Sequence, residues 1–124
     1  MFLVRVENSF AAAHYLKNYH GKCENMHGHN YRVRVTAEGK KLDEGGMLID
    51  FGILKDSLKE VLREFDHTLL NDHHAFKDGK VSAERIAEYI FHTMKDRLPD
   101  APLSLVEVFE TDINKASYRP DNDE

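Results

Sequence analysis

The chain has 124 residues, 41% hydrophobic and 31% charged, the size and composition of one globular domain with room for a core. Its formal net charge of −5 argues against nucleic-acid and membrane-surface roles, so an anionic substrate would need a local cluster of counter-charges. The lone cysteine excludes an intrachain disulfide and fits a cytoplasmic setting, and the apolar start is broken by Arg5 and Glu7, unlike a signal peptide or a membrane span.

Val4 and Val6 alternate with Arg5 and Glu7, so residues 1–13 read as a first strand that delivers His14 at its end. The polar, Gly21-containing stretch Tyr15 to Asn25 reads as a loop with Cys23 at its far end. From Tyr31 to Ala37 apolar residues hold the odd positions, the alternation of a half-buried strand, which we extend over residues 27–39. Asp43-Glu44-Gly45-Gly46 is a turn. Asp50 can N-cap a helix running to about Glu64, with Phe51, Leu54, Leu58, Val61, Leu62 and Phe65 at helical spacing. Ser82 can cap a second, with the stripe Ile86, Ala87, Ile90, Phe91, Met94, Leu98 and Pro99 as its stop. Leu103 to Thr111 and Ala116 to Tyr118 are strand-like, giving β-β-α-α-β-β over residues 1–120 and a short acidic tail, 121–124. That order predicts an α+β domain, an antiparallel sheet with both helices on one face. Its bare face and edges predict an oligomer.

Four groups of residues carry chemistry. His27 and His29 share strand parity with Tyr31, so both imidazoles project from one face, and His14 on the neighbouring strand can complete a three-nitrogen set for a metal, zinc ahead of iron or copper, which the ligand type also admits. A closed structural site with Cys23 as fourth ligand is the rival reading. Cys23 sits among the polar residues Lys22, Glu24 and Asn25, where a nearby cation would favour the thiolate and let it act as a general base. Asp66 and His67 follow the first helix as a carboxylate–imidazole pair suited to proton transfer, or simply as a polar helix end. His73 and His74 read as loop decoration. Glu110 shares parity with Val106 and Val108 and so falls on a buried face, where a carboxylate needs a partner: a backbone hydrogen bond, or the amino-amidine edge of a guanine or pterin.

The runs Phe10-Ala11-Ala12-Ala13-His14, Cys23-x-x-x-His27-Gly28-His29, Ile49-Asp50-Phe51, Leu70-Asn71-Asp72 and Phe109-Glu110-Thr111 together resemble the 6-pyruvoyl-tetrahydropterin synthase family, and within it the bacterial 6-carboxy-tetrahydropterin synthase branch of queuosine biosynthesis. The resemblance implies zinc on His14, His27 and His29, Cys23 as catalytic base, Asp66 and His67 in the proton relay, and Glu110 as anchor of the pterin ring. It implies the tunnelling fold (T-fold), a homo-hexamer of two stacked trimers, and active sites between subunits. The implied reaction converts 7,8-dihydroneopterin triphosphate to 6-carboxy-5,6,7,8-tetrahydropterin, acetaldehyde and triphosphate. Glu24 beside Cys23 resembles a folate-directed branch that makes 6-hydroxymethyl-7,8-dihydropterin, so that activity and 6-pyruvoyl-tetrahydropterin formation stay open. From other classes, a non-catalytic zinc or pterin-binding protein remains open, whereas a cupin-like oxygenase lacks its glutamate, with Arg32 and Val33 in those places.

Overall fold

The computed structural model describes residues 1–15 and 26–121, and for His27 the backbone alone. Strand β1 (Phe2–His14) and strand β2 (His27–Gly39) pair antiparallel along their full length, from Phe2 opposite Gly39 to His14 opposite His27. Helix α1 (Phe51–Leu62) is followed by the two-residue strand β3 (Thr68–Leu69) and two single 3-10 turns, Leu70–Asp72 and His74–Phe76. Helix α2 (Ala83–Arg97) leads to β4 (Leu103–Phe109) and β5 (Lys115–Tyr118). The sheet order is β3-β1-β2-β4-β5, antiparallel except for the short β1–β3 pairing.

The predicted order is present, with β3 added. Asp50 caps α1, its carboxylate accepting from the Gly52 amide at 2.7 Å, and the Ser82 hydroxyl caps α2 through the Arg85 amide at 3.2 Å. Helix α1 stops two residues short of the expected Glu64. Its last bonds tighten to the three-residue type, Glu64 N–H to Val61 O at 3.1 Å and Phe65 N–H to Leu62 O at 3.0 Å. This turns Phe65 inward and leaves Asp66 and His67 outside.

Period-two alternation decides what the sheet buries. Val6, Phe10 and Ala12 of β1, Tyr31, Val33 and Val35 of β2, and Val106 and Val108 of β4 face the helices and form one cluster with Leu54, Leu58, Ile86, Ile90 and Met94. The opposite face is polar. There the Arg32 and Arg34 guanidiniums lie 4.1 and 4.8 Å over the Phe109 ring, and Lys115 bonds the buried Glu107 carboxylate.

Leu58 is fully buried and Ile113 is 89% exposed. Leu58→Ala is expected to lose about 2–5 kcal/mol in urea unfolding, and Ile113→Ala to stay within about 0.5 kcal/mol of wild type.

Candidate metal centre and its surroundings

The ends of β1 and β2 bring the sequence-predicted residues together at the same face as the core. His14 is buried, and its Nδ1 lies 3.0 Å from the Val81 carbonyl, just ahead of α2. A carbonyl only accepts, so Nδ1 carries the proton and donates, and the Nε2 lone pair points away from Val81. It points at Glu110: His14 Nε2 is 3.0 Å and His29 Nε2 3.3 Å from the same oxygen, Oε1. In the neutral ring, that lone pair and a carboxylate oxygen at this spacing can share a cation. Four ligands around zinc at its usual bond lengths stand about 3.4 Å apart, close to these separations. The donor set therefore fits a zinc-like ion. His27 lies opposite His14 in the ladder, and its side chain falls outside the described residues.

The carboxylate of Glu110, the expected pterin anchor, stands beside the two imidazoles and lines a groove of about 390 Å³ together with Ala83, Glu84, Asn114, Lys115 and Ser117. Tyr31 stacks on Phe10 and stands edge-on to His14 and His29. Burial, aided by the Glu110 charge, pushes its phenol well above the ordinary value, so it stays a neutral wall. Cys23 and Glu24 lie outside the described residues.

Asp66 and His67 form the expected pair, Oδ2 to Nδ1 at 3.0 Å, and both are clamped to β1. Asp66 Oδ1 accepts from the Ala11 amide at 2.9 Å, and the His67 amide donates to the Ala11 carbonyl at 2.6 Å. His67 holds a left-handed backbone, φ 59°, and its side chain is 82% exposed. It is thus presented outward, on the side of β1 away from β2.

His73 and His74 are a correction: they do more than decorate a loop. The His73 side chain is only 7% exposed, and its Nε2 lies 2.8 Å from Glu64 Oε1, which also accepts from the Tyr89 hydroxyl at 2.7 Å. Glu64, His73 and His74 are close enough to share an ion. The ring proton opposes it. His73 Nδ1 accepts from the Ala75 amide at 3.1 Å, so in the neutral ring the proton sits on Nε2, facing Glu64. The two clusters carry opposite tautomers, and the lone-pair arrangement belongs to His14.

Sequence reasoning had no access to Val81, whose contribution is a carbonyl that any residue type would supply. Glu64 and Tyr89 were equally hidden, standing 25 residues apart.

These features define an α+β T-fold that holds a histidine–carboxylate centre at the sheet end. The family profile for 6-pyruvoyl tetrahydropterin synthase matches residues 3–121, and the chain belongs to that family. It is 36% identical over 129 residues to the 6-carboxy-5,6,7,8-tetrahydropterin synthase of Bacillus subtilis, covering 96% of this chain and 86% of the relative. To the human 6-pyruvoyl tetrahydrobiopterin synthase it is 37% identical over 103 residues, covering 80% and 71%. Among solved structures, the Caenorhabditis elegans 6-pyruvoyl tetrahydropterin synthase superposes with a TM-score of 0.80 at 33% identity, covering 98% of each chain. The chain is an enzyme of the tetrahydropterin-synthase kind, and no described helix is long and apolar enough to cross a membrane.

Two measurements follow from this geometry. Metal analysis of His14→Ala should show the bound ion lost, while His74→Ala keeps it. The Ala11 amide, with His67, holds the Asp66 carboxyl below the usual carboxylate range. Its charge therefore stabilises the fold fully above about pH 4, and that contribution is lost as pH falls through the lowered folded value. The Tm gap between wild type and Asp66→Asn should accordingly shrink on acidification below about pH 4.

Proposed function

We propose that the protein converts 7,8-dihydroneopterin triphosphate to 6-carboxy-5,6,7,8-tetrahydropterin, releasing acetaldehyde and triphosphate, in the cytoplasmic supply of queuosine precursors. The observation that carries this reading is that His14 Nε2 and His29 Nε2 both face the same oxygen of Glu110, with the His14 Nδ1 held by the Val81 carbonyl. The names and 36% identity of the bacterial relatives give it direction.

In this reading His14, His27 and His29 hold zinc, which when bound supplies Lewis-acid polarisation of the substrate's side-chain oxygens. Glu110, beside them at the groove, accepts two hydrogen bonds from the amino-amidine edge of the pterin and so sets the reacting side chain against the metal. Cys23 serves as the general base, and His67, oriented by Asp66, moves protons during loss of triphosphate and carbon–carbon cleavage. The outward presentation of His67 supports a site shared between copies, with His67 serving a neighbour. Among the described residues β1 carries only the two-residue β3 on its outer side, and Phe2 and Leu3 on that strand are exposed, with Met1 ahead of them. A hexamer of two stacked trimers would cover such an edge; sedimentation would show it.

A second reading, formation of 6-pyruvoyl-tetrahydropterin, is favoured by the comparable identity to the human relative. A third, 6-hydroxymethyl-7,8-dihydropterin formation, rests on Glu24 beside Cys23.

Anaerobic incubation of the zinc-loaded protein with 7,8-dihydroneopterin triphosphate, with products resolved by mass spectrometry, separates the three. We expect 6-carboxy-tetrahydropterin and acetaldehyde; a 6-pyruvoyl or 6-hydroxymethyl product would transfer the assignment, and no turnover with zinc bound would favour a binding protein. Glu110→Gln should keep its zinc and raise KM by about 10- to 100-fold, the loss of charge-assisted hydrogen bonds. Loss of zinc instead would make Glu110 a ligand.

A further inference from the structure

The turn that presents His67 is held from two sides. On one side stands the Ala11 clamp. On the other, Glu64 sits three residues before His67 and takes both the His73 Nε2 proton and the Tyr89 hydroxyl proton on one carboxylate oxygen, Oε1. Partial burial by itself would raise the Glu64 carboxyl, but the hydrogen bonds from His73 and Tyr89 outweigh it and hold it below the usual range.

The three groups come from three places in the chain. Glu64 follows α1, His73 joins the two 3-10 turns, and Tyr89 lies on α2. The His73 ring is fixed by its Nδ1 bond to Ala75 and stacks 4.3 Å from His74, and Tyr89 also lies 3.3 Å from His74 Nε2. Between Glu64 and Asp66 stands Phe65, fully buried, with its ring 4.9 Å from His73, 5.6 Å from Tyr89 and 5.4 Å from Phe10. The Thr68 hydroxyl closes the turn on the Phe65 carbonyl at 2.6 Å. A left-handed backbone at a non-glycine residue is disfavoured and persists only where its surroundings over-determine it. Here the Ala11 clamp holds one end of the turn, and the Glu64 carboxylate, half-exposed but doubly hydrogen-bonded, holds the other.

We propose that Glu64, His73 and Tyr89 act together as a positioning brace for His67, Glu64 being the residue through which the brace acts. None of the three touches the metal centre or substrate in this account; their effect passes through the 64–67 turn to the imidazole. The inference rests on the reading of His67 as a proton-relay residue, and it adds that relay strength depends on a hydrogen-bonded group outside the site. An error of about 1 Å in a reacting group can cost about a hundredfold in rate, so loss of the brace acts on turnover rather than on substrate binding.

The test uses the zinc-loaded full-length protein with the pterin triphosphate substrate, comparing His67→Ala, Glu64→Ala, Glu64→Gln and Tyr89→Phe, with a crystal structure of Glu64→Ala. Glu64→Ala should lower kcat by about 10- to 100-fold with KM and bound zinc unchanged. Glu64→Gln should recover most of that loss, because its amide oxygen still accepts from both donors. Tyr89→Phe, which removes one hydroxyl, should fall between, and carries the test if Glu64→Ala does not fold. The crystal structure should show His67 displaced from its left-handed turn. Wild-type kcat in Glu64→Ala alongside an impaired His67→Ala would overturn the brace and spare the relay. Equal losses in the Ala and Gln variants would overturn it in favour of a charge effect. Full activity in His67→Ala would sink the relay itself; the brace then stands or falls on whether His67 moves in the Glu64→Ala crystal structure.

Discussion

Everything in this molecule depends on the register between β1 and β2. Their ladder sets His14 opposite His27 and Ala12 opposite His29, with Phe10 opposite Tyr31 and Val6 opposite Val35 further along. Because side chains alternate with a period of two, the face that buries Val6, Phe10, Val33 and Val35 is the face that carries His14 and His29. A slip of one residue would turn the apolar set and the imidazoles outward together. Core burial and assembly of the His14–His29–Glu110 cluster are thus one constraint, and the free energy that holds the register is chiefly that of burying the apolar face.

A second layer of control is exerted by backbone groups. The Val81 carbonyl and the Ala75 amide each meet a histidine Nδ1, at 3.0 and 3.1 Å, and do opposite things to it. A carbonyl leaves Nε2 as a lone pair; an amide leaves it as a donor. His14 is therefore suited to a cation and His73 to a carboxylate, although both rings are largely buried and both face a glutamate. The chemistry of a histidine here is decided by its far nitrogen.

The helices act at a distance from the centre. Val81 precedes the Ser82 cap of α2, so the helix start locates the carbonyl that orients His14. The tightened end of α1 turns Phe65 into the core and Asp66 with His67 out of it. On the bare side of the sheet, the stacked guanidiniums of Arg32 and Arg34, the Phe109 ring and the Glu107–Lys115 pair form a polar surface. Together these place the outward-facing His67 imidazole on the β3 side of β1 and the His14–His29–Glu110 cluster towards β2.

Much of this was legible in the chain itself. Alternation in Tyr31–Ala37 identified β2, Asp50 and Ser82 capped their helices, and the parity of His29 with Tyr31 put it on the buried face. These are local signals, since strand period and capping chemistry act over a few residues. Tertiary structure alone decided that Glu110 lies against His14 and His29, that α1 ends at Leu62, that Thr68–Leu69 adds a parallel strand, and that His73 is buried against Glu64. Each of these depends on groups distant in sequence, several of them backbone atoms, and neither distance nor a backbone partner leaves a signature in residue type.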